Sequence, residues 1–364
     1  DGEMWNSLGY VYASLGKRSE AIAAIDHYQQ LTPALPNPYD SKGEMYAMFG
    51  ELDSAFYWYQ KAISFKSDFP SVYKLGVIAA IREDYSTAEK YIRQYGEVSD
   101  KIVEAQAKNL LALIPIRRGQ LQEAELLLRR NLESFQSQQL QGPINGIYHA
   151  FILLAYQRQD YPTMLDYAQK YSSGGDPSAG TIQFNRAILA LAYLKSGNTG
   201  MFSKLTDEMK KNLIEDSPNQ QAMLEYTLGA GLYEQGNYDA ALDHFSKASR
   251  WLAPNHIPPL QVGVAHLKTG RIIEAIEELK KISMWVAVDV EQHTLSFLPL
   301  LEDLPTASVK AHYWLGVAYE QQGQKDRAIR EYEKFLEIWK DADFKSPEIS
   351  DAKTRLPKLK RVTG

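Results

Sequence analysis

The sequence predicts an all-α protein, a right-handed superhelical solenoid of about nine helix-turn-helix units ending in a capping helix. Three observations lead there. The chain matches itself at a period near 34 residues, small residues recur at fixed places within that period, and the residues between them put apolar side chains at helical spacing. A repeat of that length is one supersecondary unit, which buries its apolar face only by stacking on its neighbours.

Composition sets the frame for function. The 364 residues are 45% hydrophobic and 23% charged, enough apolar material for a large core. Forty Lys and Arg against 45 Asp and Glu leave a net charge of −5, which offers no sequence-independent attraction to nucleic acid, so no nucleic-acid partner is expected. The longest apolar run, Ala187 to Leu194, is about eight residues where a bilayer span needs roughly 20, so no membrane insertion is expected. With no cysteine the chain can hold no disulfide, thiolate nucleophile, iron-sulfur cluster or Cys-based zinc site, and this fits a cytoplasmic setting. The chain opens at Asp1 with a helical pattern under way by Trp5, which reads as a piece of a longer or processed polypeptide.

The units follow in order. The first reads Trp5, Leu8, Gly9 and Tyr12, then Gly16, Ala21, Ile25 and Pro33. The second places Tyr39, Gly43, Tyr46, Gly50, Ala55 and Tyr59 at the same points, 34 residues on, and the third follows 33 residues later with Leu75, Gly76, Ala88 and Ile92. Later units carry Leu228, Gly229, Gly236, Ala241 and Phe245, then Gly263, Gly270 and Ala275, then Leu315, Gly316, Tyr319, Gly323, Ala328 and Tyr332. Between them Leu111, Ala112, Gly119 and Ala124 keep the frame, and Asp160, Tyr161, Tyr193 and Gly197 keep it less fully. Helices are still expected over Ile144 to Arg158 and Ile182 to Lys195, from the spacing of their apolar residues.

A glycine inside a helix costs roughly 1 kcal/mol relative to alanine. Its recurrence at Gly9, Gly43, Gly76, Gly229, Gly263 and Gly316 therefore points to a recurrent need, the close approach of two helices, with Ala21, Ala55, Ala88 and their counterparts as the facing small residues. The glycines of the Gly16 series stand where each first helix should end.

This pattern resembles the tetratricopeptide repeat. The resemblance implies a stack of helical hairpins, open and on the order of 90 Å long at the usual spacing between helices, that binds protein partners. The organisation expected is three repeats over 1–104, degenerate repeat-like units over 105–216, two repeats over 217–283, an apolar insert over 284–308, a last repeat over 309–343 and a capping helix over 344–364. The insert carries Trp285, Leu295, Phe297, Leu298, Pro299, Leu300, Leu301 and Pro305, and is either an over-long second helix covering its own neighbours or a docking element inside the superhelix. Ser172 to Thr181 reads as a flexible turn, and the last stretch, with Ile349, Ala352, Leu356 and Leu359 on one face, as the cap.

Catalytic and metal-binding motifs are absent from the sequence. There is no Walker loop, dinucleotide fingerprint, His-Glu-x-x-His, EF-hand loop or Gly-x-Ser-x-Gly, and the seven histidines show no paired ligand spacing. Ser14 to Lys17 has Ser-x-x-Lys spacing but falls on an inter-helix turn of the repeat. No enzyme activity, cofactor or metal is expected.

What remains is surface. In tetratricopeptide repeats the first helix of each unit lines the concave face through its second, fifth, ninth, twelfth and thirteenth positions. On this sequence the resemblance assigns partner binding to Asn6, Tyr10, Tyr73, Val77, Ile81, Asn109, Leu113, Arg117, His149, Leu153 and Tyr156, and the same frame runs on through Gln157, Lys195 and Tyr233. Aromatic, aliphatic and isolated polar residues alternate along this face, which suits an extended or helical peptide with apolar anchors. Asp40 and Glu44 occupy positions where some relatives grip a carboxylate, and two acids there would repel one. The stretch from Glu333 to Leu356 also resembles the tail of repeat regions attached to bacterial serine/threonine kinases and winged-helix regulators, which implies a scaffold or sensor within a signalling protein. Two other functions stay open, a small-ligand sensor controlling an attached effector and an accessory region of an enzyme. Closed, pocket-like curvature around the middle units would favour the ligand sensor, and an open groove the peptide. The apolar face also allows self-association.

Overall fold

The computed structural model describes residues 1–97, 99–174, 179–251, 259–284 and 304–361, which form nineteen α-helices and no strand. The helices run as nine antiparallel hairpins and one closing helix, an all-α solenoid. Most of the apolar insert, from Trp285 through Leu301, lies outside the described residues, as do the central residues of the Ser172 to Thr181 turn.

The chain divides into two compact units, residues 1–111 and the described residues from Ala112 onward apart from Met284. Unit 1 contains α1 (Gly2–Ser14) and α2 (Arg18–Leu31), α3 (Asn37–Met48) and α4 (Leu52–Phe65), α5 (Ser71–Ile81) and α6 (Tyr85–Gly96), and the start of α7 (Lys101–Arg117). Its hairpins end as the sequence predicts. Gly50 takes φ 75° after α3, so that its own amide reaches Ala47 O and the amide of Glu51 reaches Tyr46 O, both at 2.9 Å, closing the helix through a left-handed residue.

The mid-helix glycines have a sharper role than expected. A Cβ on Gly43 would stand 2.6 Å from the Tyr59 ring, and one on Gly9 would stand 2.6 Å from Ile25. The glycine thus receives the large side chain one turn beyond the conserved-spacing alanine on the second helix, and Ala21 and Ala55 are fully buried beside it. Gly229 and Phe245, Gly263 and Leu279, and Gly316 and Tyr332 repeat the arrangement. Large side chain and missing Cβ together fill the space between the helices at interior density.

Unit 2 holds the end of α7, then α8 (Leu121–Ser137), α9 (Gln141–Gln157) with α10 (Tyr161–Ser173), α11 (Ala179–Lys195) with α12 (Thr199–Lys211), and α13 (Pro218–Glu234) with α14 (Tyr238–Ser249). It continues through α15 (Leu260–Lys268) with α16 (Ile272–Ser283), α17 (Leu304–Gln321) with α18 (Lys325–Ile338), and α19 (Pro347–Arg361). Helix α17 begins four residues before Ser308, so Thr306, Ala307 and Ser308 form its buried first turns. Helix α19 places Ala352 and Leu359 on the core under α18, while Asp351 accepts from the Tyr313 hydroxyl at 2.7 Å.

Unit 2 does not form the open stack expected from the sequence. Its last hairpin returns to its first turn: Arg117 Nη1 donates to Ser308 Oγ at 2.6 Å, Gln157 Nε2 to Thr306 Oγ1 at 3.0 Å, and Trp339 Nε1 to the Arg117 carbonyl at 3.0 Å. The amide of Asp343 reaches Gly119 O at 3.1 Å. Each hairpin is rotated relative to the one before, and within this unit the accumulated rotation brings the ends together.

Candidate functional site

In unit 1 the inner positions of α1, α3 and α5 converge on a buried ionic cluster. Lys74 Nζ lies 2.8 Å from Asp40 Oδ2 and also donates to Glu44, while Glu44 accepts from the Tyr10 hydroxyl and Asp40 from the Ser71 hydroxyl. Asp40, Glu44 and Lys74 are all buried. Burial by itself disfavours the Lys74 ammonium, but the two carboxylates beside it outweigh that and hold it charged well above the ordinary lysine range. The two acids at the start of the groove are therefore engaged internally with a lysine of the next hairpin.

The other unit 1 candidates sit around this cluster. Tyr73 is buried with its ring 5.0 Å from Tyr95. Val77 and Ile81 are half-buried against the Tyr59 and Leu75 core. Asn6 is half-buried and its Oδ1 has no hydrogen-bond partner among the described residues, and Asn109 is also half-buried.

In unit 2 the inner ends of the first helices surround a cavity of about 260 Å³. Helix α9 supplies Tyr156 and Gln157, α11 supplies Lys195, and α13 supplies Tyr233 and Glu234. From the far side come Leu260, Gln261 and Val264 on α15 and Lys310 and Trp314 on α17, and the segment Phe344 to Glu348 closes the rim. These side chains meet because residues at the end of one first helix and the start of a later one face the same axis once the unit has turned back on itself.

The wall is electrostatically organised. Lys195 Nζ and Lys310 Nζ stand 5.1 and 5.9 Å from the centroid of the Tyr156 ring. Lys195 is 2.6 Å from Glu234 and Lys310 is 3.9 Å from Glu348. Lys345 adds a third, exposed ammonium to the same wall. Gln157 is 5% exposed and its Oε1 has no hydrogen-bond partner, and Gln261 Oε1 is likewise buried without one.

Of the expected binding residues in this unit, Tyr156 alone lines the cavity. Leu153 is buried in the helix packing, Arg117 is 4% exposed and used in the closure onto Ser308, and Leu113 is half-buried. His149 lies between Tyr171 and Phe184, its ring 5.8 and 6.3 Å from theirs. Part of the residue reaches solvent, but its Nε2 is sealed without a partner, and burial pushes the imidazole down to about 4. The missed residues were within reach of the frame: Lys310 stands at the second position of its unit, and Leu260 and Val264 at the fifth and ninth of theirs. No sequence signal marks Phe344 to Glu348, which reach the cavity only through the closure. Among the described residues no helix is long and apolar enough to cross a membrane, and no cluster of three or more His, Asp or Glu can hold a metal ion.

Comparison with known proteins identifies the repeat. Residues 2–35 and 309–338 each match a tetratricopeptide-repeat family model. Human tetratricopeptide repeat protein 7B is 29% identical over 98 residues, 27% of this chain, and the match spans only 12% of that protein's length. Among solved structures, Pseudomonas aeruginosa pilF is similar at 14% identity and a TM-score of 0.39, over 58% of this chain and 91% of its own. The P58(IPK) TPR domain is similar at 14% identity and 0.29, over 100% and 99% of the two chains, and a human IFIT1 dimer with PPP-AAAA at 16% and 0.41, over 93% and 73%. Scores of this size carry no argument about the site. The chain carries tetratricopeptide repeats, one in its first hairpin and one in its last.

Proposed function

We propose that the chain is a non-catalytic protein-interaction scaffold, the cytoplasmic repeat region of a larger bacterial signalling protein, which holds a partner segment on the inner face of its first helices. The observation that supports this best is the inner face of unit 2, where Tyr156, Tyr233 and Trp314 stand among Lys195 and Lys310. Aromatic anchors interleaved with charged groups suit recognition of a partner better than a merely solvated surface would. The test is selection of peptides from a displayed library on the immobilised chain, repeated with Val77→Asp and Tyr156→Ala, both half-buried inner-face changes. Peptides that lose binding to one variant locate the groove. Failure to select any peptide, or binding indifferent to both changes, removes this reading.

A second reading is favoured by a specific observation. Unit 2 closes on itself around the cavity through Trp339, Asp343 and Arg117. Such curvature suits a small ligand whose occupancy is felt at the closure, as in a sensor that acts on an attached effector.

A further inference from the structure

The cavity of unit 2 presents three kinds of group that together narrow what it can hold, and resting on the small-ligand reading we infer that it binds a small hydroxylated organic anion, of the sugar-phosphate or sugar-acid class. The charge of the wall favours an anion: Lys195, Lys310 and Lys345 stand against Glu234 and Glu348, one positive charge in excess. Lys310 is 9% exposed, so an anion beside it is poorly screened and strongly felt.

The amide oxygens define the second feature. Gln157 donates its Nε2 to Thr306 Oγ1 at 3.0 Å, which fixes the amide and leaves Oε1 as an acceptor in the wall. Gln261 Oε1 is a second such acceptor. Buried acceptors need donors, and neither a carboxylate nor a phosphate dianion has one to give. Hydroxyl groups do. A neutral polyol would satisfy both amides yet leave the lysines without a gain, and inorganic phosphate would meet the lysines yet leave the amides unmet. One molecule carrying both functions meets the whole wall.

The rings supply the third feature. Tyr156, Tyr233 and Trp314 give flat apolar faces that suit the C–H faces of a pyranose, and the volume of about 260 Å³ is at the small end for ligand pockets. It admits a monosaccharide-sized molecule and little more. The rim segment Phe344 to Glu348 is held at one end by Asp343 on α8, so the closure that shapes unit 2 also positions Glu348 beside Lys310.

The test is titration calorimetry of the full chain with glucose 6-phosphate, glucuronate, glucose and inorganic phosphate, alongside Gln157→Leu, Lys310→Met and Lys345→Glu. The expected result is binding of glucose 6-phosphate or glucuronate at least about tenfold tighter than glucose or inorganic phosphate, and which of the two binds tells a sugar phosphate from a sugar acid. Gln157→Leu should remove the advantage over inorganic phosphate, and Lys310→Met the advantage over glucose. Lys345→Glu changes an exposed side chain of the same wall, and should weaken the anion even if Lys310→Met does not fold. Absence of binding by both sugar anions, or binding that none of the three changes alters, overturns the inference. The small-ligand reading itself is tested separately, by whether a mixed metabolite extract raises the melting temperature of wild type but not of Tyr156→Ala; a rise without sugar-anion binding would sink the ligand class alone.

Discussion

The carboxylate of Asp343 spans the first two amides of the helix that begins at Leu121, with Leu121 N donating to Oδ1 at 2.9 Å and Gln122 N to Oδ2 at 2.8 Å, across 222 residues of sequence. Gln120, in the capping position of that helix, provides no side-chain cap of its own. The cap is therefore supplied by the far end of the unit, where an anion also meets the positive end of the helix dipole. Asp343→Ala should lower the stability of the protein by about 1 kcal/mol, the usual worth of an N-cap. Faster hydrogen exchange at the amides of Leu121 and Gln122, with little change in α3 to α6, would mark the loss as local to this closure. Unchanged exchange there would deny the cap any role.

Gly119 sits under the same contact and offers a paired comparison. Both Gly16 and Gly119 have positive φ, 71° and 74°, but a Cβ on Gly16 meets nothing within 4 Å whereas one on Gly119 would lie 2.9 Å from Ala342 and 3.3 Å from Trp339. Gly16→Ala should cost about 1 kcal/mol, from backbone conformation alone. Gly119→Ala should cost more, because it also pushes the α18 end away. Chemical denaturation of the two variants measures the difference, and equal losses would show that the closure yields without resistance.

Lys74 is the linchpin of the ionic cluster in unit 1. Replacing it with Met leaves Asp40 and Glu44 buried and uncompensated, an arrangement that typically costs 3 to 5 kcal/mol, so a loss of about 4 kcal/mol is expected. The triple variant Lys74→Met, Asp40→Asn and Glu44→Gln removes the charges together and should recover most of that. Urea midpoints of the single and triple variants decide the matter.

His149 makes stability depend on pH in a defined window. Its folded-state value is pushed down to about 4, below the value of about 6.5 expected unfolded, so between those limits the unfolded chain binds the extra proton. Stability from this residue is complete above about pH 6.5 and falls as the pH drops toward 4, by on the order of 3 kcal/mol at most. His149→Phe, which keeps a ring between Tyr171 and Phe184, should flatten the curve in that range. A variant with the same slope as wild type would place the dependence elsewhere.

The helical hairpins were readable in the sequence because every signal that specifies them is short-range. Gly50 closing α3 and Gly43 admitting Tyr59 are contacts within one hairpin, and the period near 34 repeats them. The binding face was readable only in part. The frame identifies Tyr156, Lys195 and Tyr233 as inner residues, and the structure gathers them around one cavity. It also assigns Tyr73, Arg117 and Leu153 to the inner face, and these are buried in packing because a repeat position states a direction on a helix, not what lies beyond it.

The sequence by itself determined the all-α hairpin architecture, the order of the units and the closing helix, since apolar spacing, helix-ending glycines and complementary small and large residues act over a few turns of chain. Tertiary structure alone decided that unit 2 closes, that Asp343 caps α8, and that Lys310 comes to share a wall with Tyr156. Those pairings depend on the rotation of each hairpin against the next, summed over the whole unit. Such a sum is set by packing angles at every interface and is written at no single position.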